Sequence, residues 1–202
     1  LFGDRKLNPS SCWNKQTIWS LTCQAIGLSS IFRKSTLFNS EGIGGWNRAG
    51  AKEVDIVSGC FFLIKRSLWN QLGGFRESFF MYGEEADLCL RAVRLGANPS
   101  VTDFATIVHY GGASETVRAD KLVRLIHAKH LLIEYHFSNK TRKLGHVLLS
   151  FWPRSRYFAH GLLALLGGVS SKKKKEVWRD VSVRQNEWLC LLEEITPSKA
   201  TN

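Results

Sequence analysis

Acids are scarce in this chain: 17 Asp and Glu stand against 28 Lys and Arg, a formal net charge of +11. Such an excess calls for an anionic partner or a solvated basic face. Cys-x-x-Cys pairs are absent, and the five cysteines, Cys12, Cys23, Cys60, Cys89 and Cys190, are odd in number. That excludes a complete disulfide framework and a structural zinc knuckle, and a reducing, cytoplasmic compartment is expected. Long hydrophobic runs are missing too: the longest uncharged apolar stretch, Ala159 to Val169, falls well short of the roughly 20 residues a membrane-spanning helix needs. No basic segment followed by an apolar core opens the sequence, so no secretory signal is expected in these residues. Methionine occurs once, as Met81, and the first residue is Leu1, from which a piece of a longer protein is expected.

What is present suits a packed domain. Hydrophobic residues make up 44% and aromatics 11% of the 202 residues, enough to bury a core, which sets aside disorder, collagen and coiled coil. Residues 1 to 50 carry turn chemistry (Asn8-Pro9-Ser10-Ser11, Ser29-Ser30, Gly42-Ile43-Gly44-Gly45) around one apolar patch, Ile18 to Leu28. They read as a loop-rich lead-in with one short helix. Val54 to Ile64 is dense in β-branched and aromatic residues and reads as a strand buried on both faces, interrupted by Gly59, where a bulge or a close backbone approach is expected. A short helix over Ser67 to Leu72 stops at Gly73-Gly74, a second runs from about Gly83 to Leu95 and stops at Gly96, and Ser100 to Tyr110 returns to strand character. Residues 51 to 116 therefore read as α/β.

Residues 117 to 202 change to helical spacing: Ala119 to Phe137, Leu144 to Phe151, Tyr157 to Leu166 and Lys173 to Glu194. Charge gathers here, with eleven cations against Glu176 and Asp180 between residues 140 and 184. Phe151, Trp152, Tyr157, Phe158, Leu162, Leu163, Leu165 and Leu166 intermix with Arg154, Arg156 and Lys172 to Lys175. That composition suits a helix lying in a membrane interface, and the lysine run is either a solvated face or attracted to an anionic membrane surface. No helix-turn-helix, zinc-finger or RRM signature accompanies the charge, so no nucleic-acid partner is expected. His127 and His130 stand three apart with His136 beyond, but no acid or cysteine with ligand spacing accompanies them, and a structural or solvated role is expected.

The most informative cluster is Tyr82-Gly83-Glu84-Glu85-Ala86-Asp87-Leu88-Cys89-Leu90-Arg91. Three acids in the opening turn of a helix either complement its dipole, with Asp87 and Arg91 as an i,i+4 pair, or place one carboxylate at a cleft as a general base.

The segments Ser58-Gly59-Cys60-Phe61-Phe62-Leu63-Ile64-Lys65-Arg66, Gly73-Gly74-Phe75-Arg76-Glu77, Phe79 to Arg91 and His109-Tyr110-Gly111-Gly112-Ala113-Ser114, taken in order over about residues 54 to 114, resemble the C-terminal half of family 2 glycosyltransferases. The rhamnosyltransferase-like enzymes of bacterial polysaccharide assembly are the group they look most like. The resemblance implies the acceptor-side part of a GT-A (Rossmann-like) fold with a C-terminal helical extension. It also implies an inverting transfer from a nucleotide sugar to a polysaccharide or lipid-linked acceptor hydroxyl; the basic, aromatic-rich C-terminal composition adds the expectation of an enzyme peripheral on the inner face of the plasma membrane. By the same resemblance Glu85 is the candidate base with Glu84 beside it, and Glu77, Tyr82 and Gly59 belong to the acceptor side. Asp87 and Arg91 are structural ties, and His109 is a ligand to a divalent cation, magnesium or manganese. Glu84-Glu85 stands where members usually show Glu-Asp, Arg76 replaces a common Asp, and no Asp-x-Asp occurs. The donor site is therefore expected outside these residues, and this chain alone is expected to be inactive. The reading from a different class is a non-catalytic remnant or basic surface-docking module whose acids only cap a helix.

Overall fold

The computed structural model describes residues 1, 3–4, 7–110 and 117–189. It divides into two compact units, Leu1–Thr116 and Val117–Asn202. Gly111 to Ser114 of the last resembling segment, Cys190 and the end of the expected final helix lie outside the described residues.

In the first unit, β1 (Cys12–Trp13), α1 (Ile18–Ile26), α2 (Leu28–Ile31), β2 (Lys52–Glu53), β3 (Ile56–Val57), α3 (Arg66–Leu72), α4 (Glu84–Arg94) and β4 (Ser100–Val101) follow in order. Helix α1 starts in a reciprocal cap: the Ser20 N–H donates to Thr17 Oγ1 at 3.0 Å while the Thr17 N–H donates to Ser20 Oγ at 2.9 Å. It ends at Gly27 in the left-handed region (φ 94°) and buries Leu21, Cys23 and Ala25. The first fifty residues are more than a lead-in, because β1 pairs antiparallel with β3 (Cys12 with Val57, Trp13 with Ile56). Arg48, almost fully buried, donates to the carbonyls of Gly42, Ile43 and Cys12 and so fastens the loop before β2 to that pair. Strand β2 pairs antiparallel with β4, and Cys12, Ile43 and Val54 form a small core against Trp46, Val57 and Val101.

The long strand expected over Val54 to Ile64 is not there. Only Ile56–Val57 pairs, and beyond Gly59 the chain runs irregularly with Phe61 60% and Leu63 90% exposed. The apolar run cannot be a doubly buried strand because nothing among the described residues covers those side chains. Ser100 to Tyr110 likewise contributes only Ser100–Val101 as strand. Its later part is held instead by the Leu1 amino group on the Ile107 carbonyl and by the His109 N–H on the Leu1 carbonyl, each at 2.9 Å. Helices α3 and α4 fall where the spacing and the flanking glycines put them.

The second unit is helical: α5 (Arg118–His136), α6 (Asn139–Leu165), α7 (Val169–Val183) and α8 (Gln185–Leu189). The two helices expected over 144–151 and 157–166 are one, α6, running through Pro153. A proline costs an interior helix its hydrogen bond and crowds the preceding turn. Here the ring is fully buried beside Trp152, which meets Trp178 of α7 edge-on at 5.2 Å, and that packing carries the helix past the defect. Conversely, the single helix expected from Lys173 breaks at Arg184, whose guanidinium binds Glu187 (2.7 Å) and Asp120 (2.5 Å).

His130 is fully buried between Trp188 and His146, with near-parallel rings at 5.4 and 5.1 Å. Its Nδ1 lies 2.8 Å from His146 Nδ1, His146 Nε2 lies 3.2 Å from Glu134 Oε2, and Arg142 donates to Glu134 Oε1 at 2.9 Å. Buried His130 thus meets half-buried His146, 16 residues away on the next helix, in a relay that runs out to Glu134. Burial, helped by His146 and His127, pushes the His130 pKa down to about 3, so it is neutral in the folded unit.

Candidate active site at the start of α4

The turn into α4 is strained. Tyr82 holds φ 68° and Gly83 φ 83°, and a bulky residue in the left-handed region is held there only by its surroundings. The turn delivers Glu84, Glu85 and Asp87 into the first helical turn.

Asp87 is fully buried and committed. One oxygen takes the Arg91 Nε–H at 2.7 Å and the other lies 3.6 Å from Arg76 Nη1. Arg91 reaches on to the Leu72 and Gly74 carbonyls at 2.7 and 2.8 Å, which ties the end of α3 to the start of α4. Arg76 is thus the second cation on Asp87. Hydrogen bonds to charged groups contribute more than neutral ones, so Asp87→Asn is expected to cost about 2 kcal/mol, read as an earlier urea midpoint for the first unit with unchanged slope.

Glu85 is different. It packs against Gly59, where an added Cβ would lie 3.4 Å from the Glu85 Cβ, so the irregular segment after β3 passes directly beside the carboxylate stem. Among the described residues its Oε2 is enclosed without a hydrogen-bond partner, as is Glu84 Oε2. Burial and then the neighbouring Glu84 charge raise the Glu85 carboxyl above its ordinary value, while main-chain hydrogen bonds at Glu85, Gly59 and Gly83 pull the other way without prevailing. A carboxylate so placed is short of solvation and suited to accepting a proton.

One helical turn further on, Cys89 lies beneath Glu85. Its thiol is hydrogen-bonded by the Val57 main chain and raised by burial. Nothing but its i+4 spacing from Glu85 on one helix face marks Cys89 in the sequence.

The structure brings Gly59, Glu84 and Glu85 together, with half-buried Tyr82 in the strained turn. Glu77 is exposed in the loop after α3, and His109 is exposed on the segment held by Leu1. Among the described residues no group of three or more His, Cys, Asp or Glu side chains is arranged to hold a metal ion.

Comparison with known proteins gives partial matches of one kind. Over 65 residues (32% of this chain, 21% of the relative) the chain is 35% identical to the low-salt glycan biosynthesis hexosyltransferase Agl10 of Haloferax volcanii. Over 82 residues (41% of this chain, 24% of the relative) it is 32% identical to the N-acetylglucosaminyl-diphospho-decaprenol L-rhamnosyltransferase of Mycobacterium tuberculosis, in two strains. The chain is thus similar, over part of its length, to glycosyltransferases of glycan biosynthesis. The matched stretches span only about a fifth to a quarter of the curated relatives. No protein-family model and no solved structure matches the chain.

Proposed function

We propose that this chain is the acceptor-side part of an inverting glycosyltransferase of the GT-A type, with Glu85 as the catalytic base. The carrying observation is the Glu85 carboxylate itself, held at the start of α4, packed on Gly59, and with one oxygen enclosed and without a partner among the described residues. In the reaction Glu85 takes the proton from an acceptor hydroxyl as that oxygen bonds to the anomeric carbon of a nucleotide sugar. The bond from that carbon to the diphosphate oxygen breaks, and the nucleoside diphosphate leaves with the electron pair. A single displacement inverts the anomeric configuration. Glu84, at the adjacent position, raises the basicity of Glu85 by its charge. The similarity to transferases of glycan assembly, one of them named for a decaprenol-linked substrate, supports a glycan or lipid-linked acceptor.

The fold type proposed implies a divalent cation at the diphosphate. The described residues do not by themselves fit one, since no ligand cluster exists among them and His109 stands alone and exposed. No step here is routed through a metal.

Against the rival reading, in which the acids only cap α4, stand the packing of Glu85 on Gly59 and the enclosure of its Oε2. A carboxylate whose main role is to complement a helix N-terminus is stabilised in its charged form and lowered, and this one is raised.

Gly59 supplies a separate test. A methyl there would just touch Glu85, whereas a longer side chain grows into the carboxylate's place. Gly59→Leu is expected to lower kcat about tenfold or more, since small misplacements of a reacting group are costly, while Gly59→Ala stays close to the parent in a sugar-transfer assay of the full-length gene product. Equal rates for Leu and the parent would separate this segment from the chemistry.

A further inference from the structure

Helix α6 carries an apolar stripe on the side away from its own packing. Its buried residues are Gly145, Leu149, Trp152 and Pro153. On the opposite side stand Leu144, Val147, Phe151, Phe158, Leu162 and Leu165, all exposed, with Phe158 at 70%, Leu162 at 62% and Leu165 at 85%. At about 100° per residue these six fall within a sector about 60° wide, on the far side of the helix from the buried four. The stripe extends for roughly 30 Å at the α-helical rise. Nothing among the described residues of the second unit covers it.

The charges around the stripe select its partner. Across Asn139–Leu165 there is no acid at all, against Lys140, Arg142, Lys143, Arg154 and Arg156. Exposed Lys140 and Lys143 lie on or beside the stripe at its N-terminal end. Where α6 turns into α7 the exposed Leu166 and Val169 lead into Lys172 to Lys175. Lys175 leans over the Tyr157 ring at 5.6 Å and passes Gly161, where an added Cβ would lie 3.8 Å from its Cε, on the flank of the stripe's second half. A second copy of the chain is a poor occupant, because pairing α6 with itself would oppose two acid-free cationic helices. No helix among the described residues is long and apolar enough to cross a membrane.

We infer that α6 lies in the plane of an anionic lipid bilayer, its Leu144 to Leu165 stripe set into the headgroup boundary and its lysines, with those of α7, on the lipid charges. This goes beyond the transfer reading and does not depend on it: α6 supplies the docking surface that brings the chain to a bilayer.

The test is sedimentation of the full chain with vesicles of phosphatidylcholine alone and of phosphatidylcholine mixed with phosphatidylglycerol, at low and raised salt. The chain is expected to pellet with the anionic vesicles, to stay in the supernatant with the neutral ones, and to be released by salt. Phe158→Ser combined with Leu162→Ser and Leu165→Ser changes only exposed positions, so helix content by circular dichroism should hold while vesicle binding falls about tenfold or more. Replacing Lys172 to Lys175 by Gln should weaken anionic binding by about fivefold for each lysine that reaches the surface. Pelleting that is unchanged in the triple variant overturns the inference. So does binding to neither vesicle, or light scattering that shows a dimer abolished by the triple variant. No sugar enters this measurement, so its failure would leave the Glu85 reading standing, and loss of transfer in a Glu85 variant would leave this one standing.

Discussion

Glu85→Gln should lower the rate of sugar transfer by about 10²–10⁴ while making the first unit slightly more stable at neutral pH. The rate loss is that of a general base removed from a proton transfer, with shape and hydrogen-bonding reach otherwise retained. It should fall on kcat, with KM for the acceptor little changed. The stability gain follows from the same geometry. A carboxyl whose folded pKa is raised favours the fold below its unfolded pKa and loses that contribution as pH rises through its folded pKa. Ionising Glu85 in the fold therefore leaves a poorly solvated charge, and the neutral amide relieves it. A carboxylate that merely capped α4 would give the opposite stability result, since its removal would cost the cap. Transfer kinetics and urea unfolding of parent and variant, measured side by side, separate the two. The raised carboxyl also sets the acid limb of the parent's pH profile: activity should fall as pH drops through a value above the ordinary Glu range, and that limb should be missing from the residual activity of the variant.

The helical unit should be acid-labile because of His130. In the unfolded chain this histidine titrates near the ordinary value of 6.5, whereas in the fold its pKa is about 3. Below pH 6.5 the unfolded state binds a proton that the folded state refuses, so stability falls with pH by about 1.4 kcal/mol per unit until the pH approaches 3. Integrated over that window, the loss is on the order of 4 kcal/mol, a large share of the stability of a small domain. The cause is geometric: the ring is sandwiched between Trp188 and His146 without solvent, and His127 and His146 add like charge if they protonate. Glu134, the acid of the relay, already takes Arg142 and His146. Urea unfolding of the chain, followed by helical circular dichroism between pH 7 and pH 4, should show this slope, and His130→Leu should flatten it. A parent whose midpoint stayed constant over that range would show that His130 protonates in place.

Local signals in the sequence located what depends on local physics. The helix over Glu84–Arg94 was legible because three acids open it, two arginines close it and glycines bound it, and α3 was legible from its stop at Gly73. The two strands were misjudged because an apolar β-branched run records a preference for burial and not the presence of a partner. Phe61 and Leu63 have the composition of a core strand, yet the described residues leave them 60% and 90% exposed. Pro153 misled in the opposite sense, since its penalty is local and the packing with α7 that offsets it is not. The His130–His146 contact was invisible for the same reason: a three-residue spacing on α5 shows one half of the relay, and the other half arrives only when α6 folds back. At the site, the residue types and Gly59 could be singled out from the sequence. The contact of Gly59 with Glu85 and the place of Cys89 beneath it required β3 and α4 to be packed together.

The proposed chemistry rests on one carboxylate, so the deciding measurement is acceptor-dependent release of nucleoside diphosphate by the full-length gene product, with a panel of nucleotide sugars and a lipid-linked acceptor, for the parent and for Glu85→Gln. The account expects one donor to support release and glycan transfer in the parent, and about a hundredfold less or lower in a variant that unfolds no earlier. Undiminished transfer by Glu85→Gln, or no transfer from any nucleotide sugar by the parent, would contradict it.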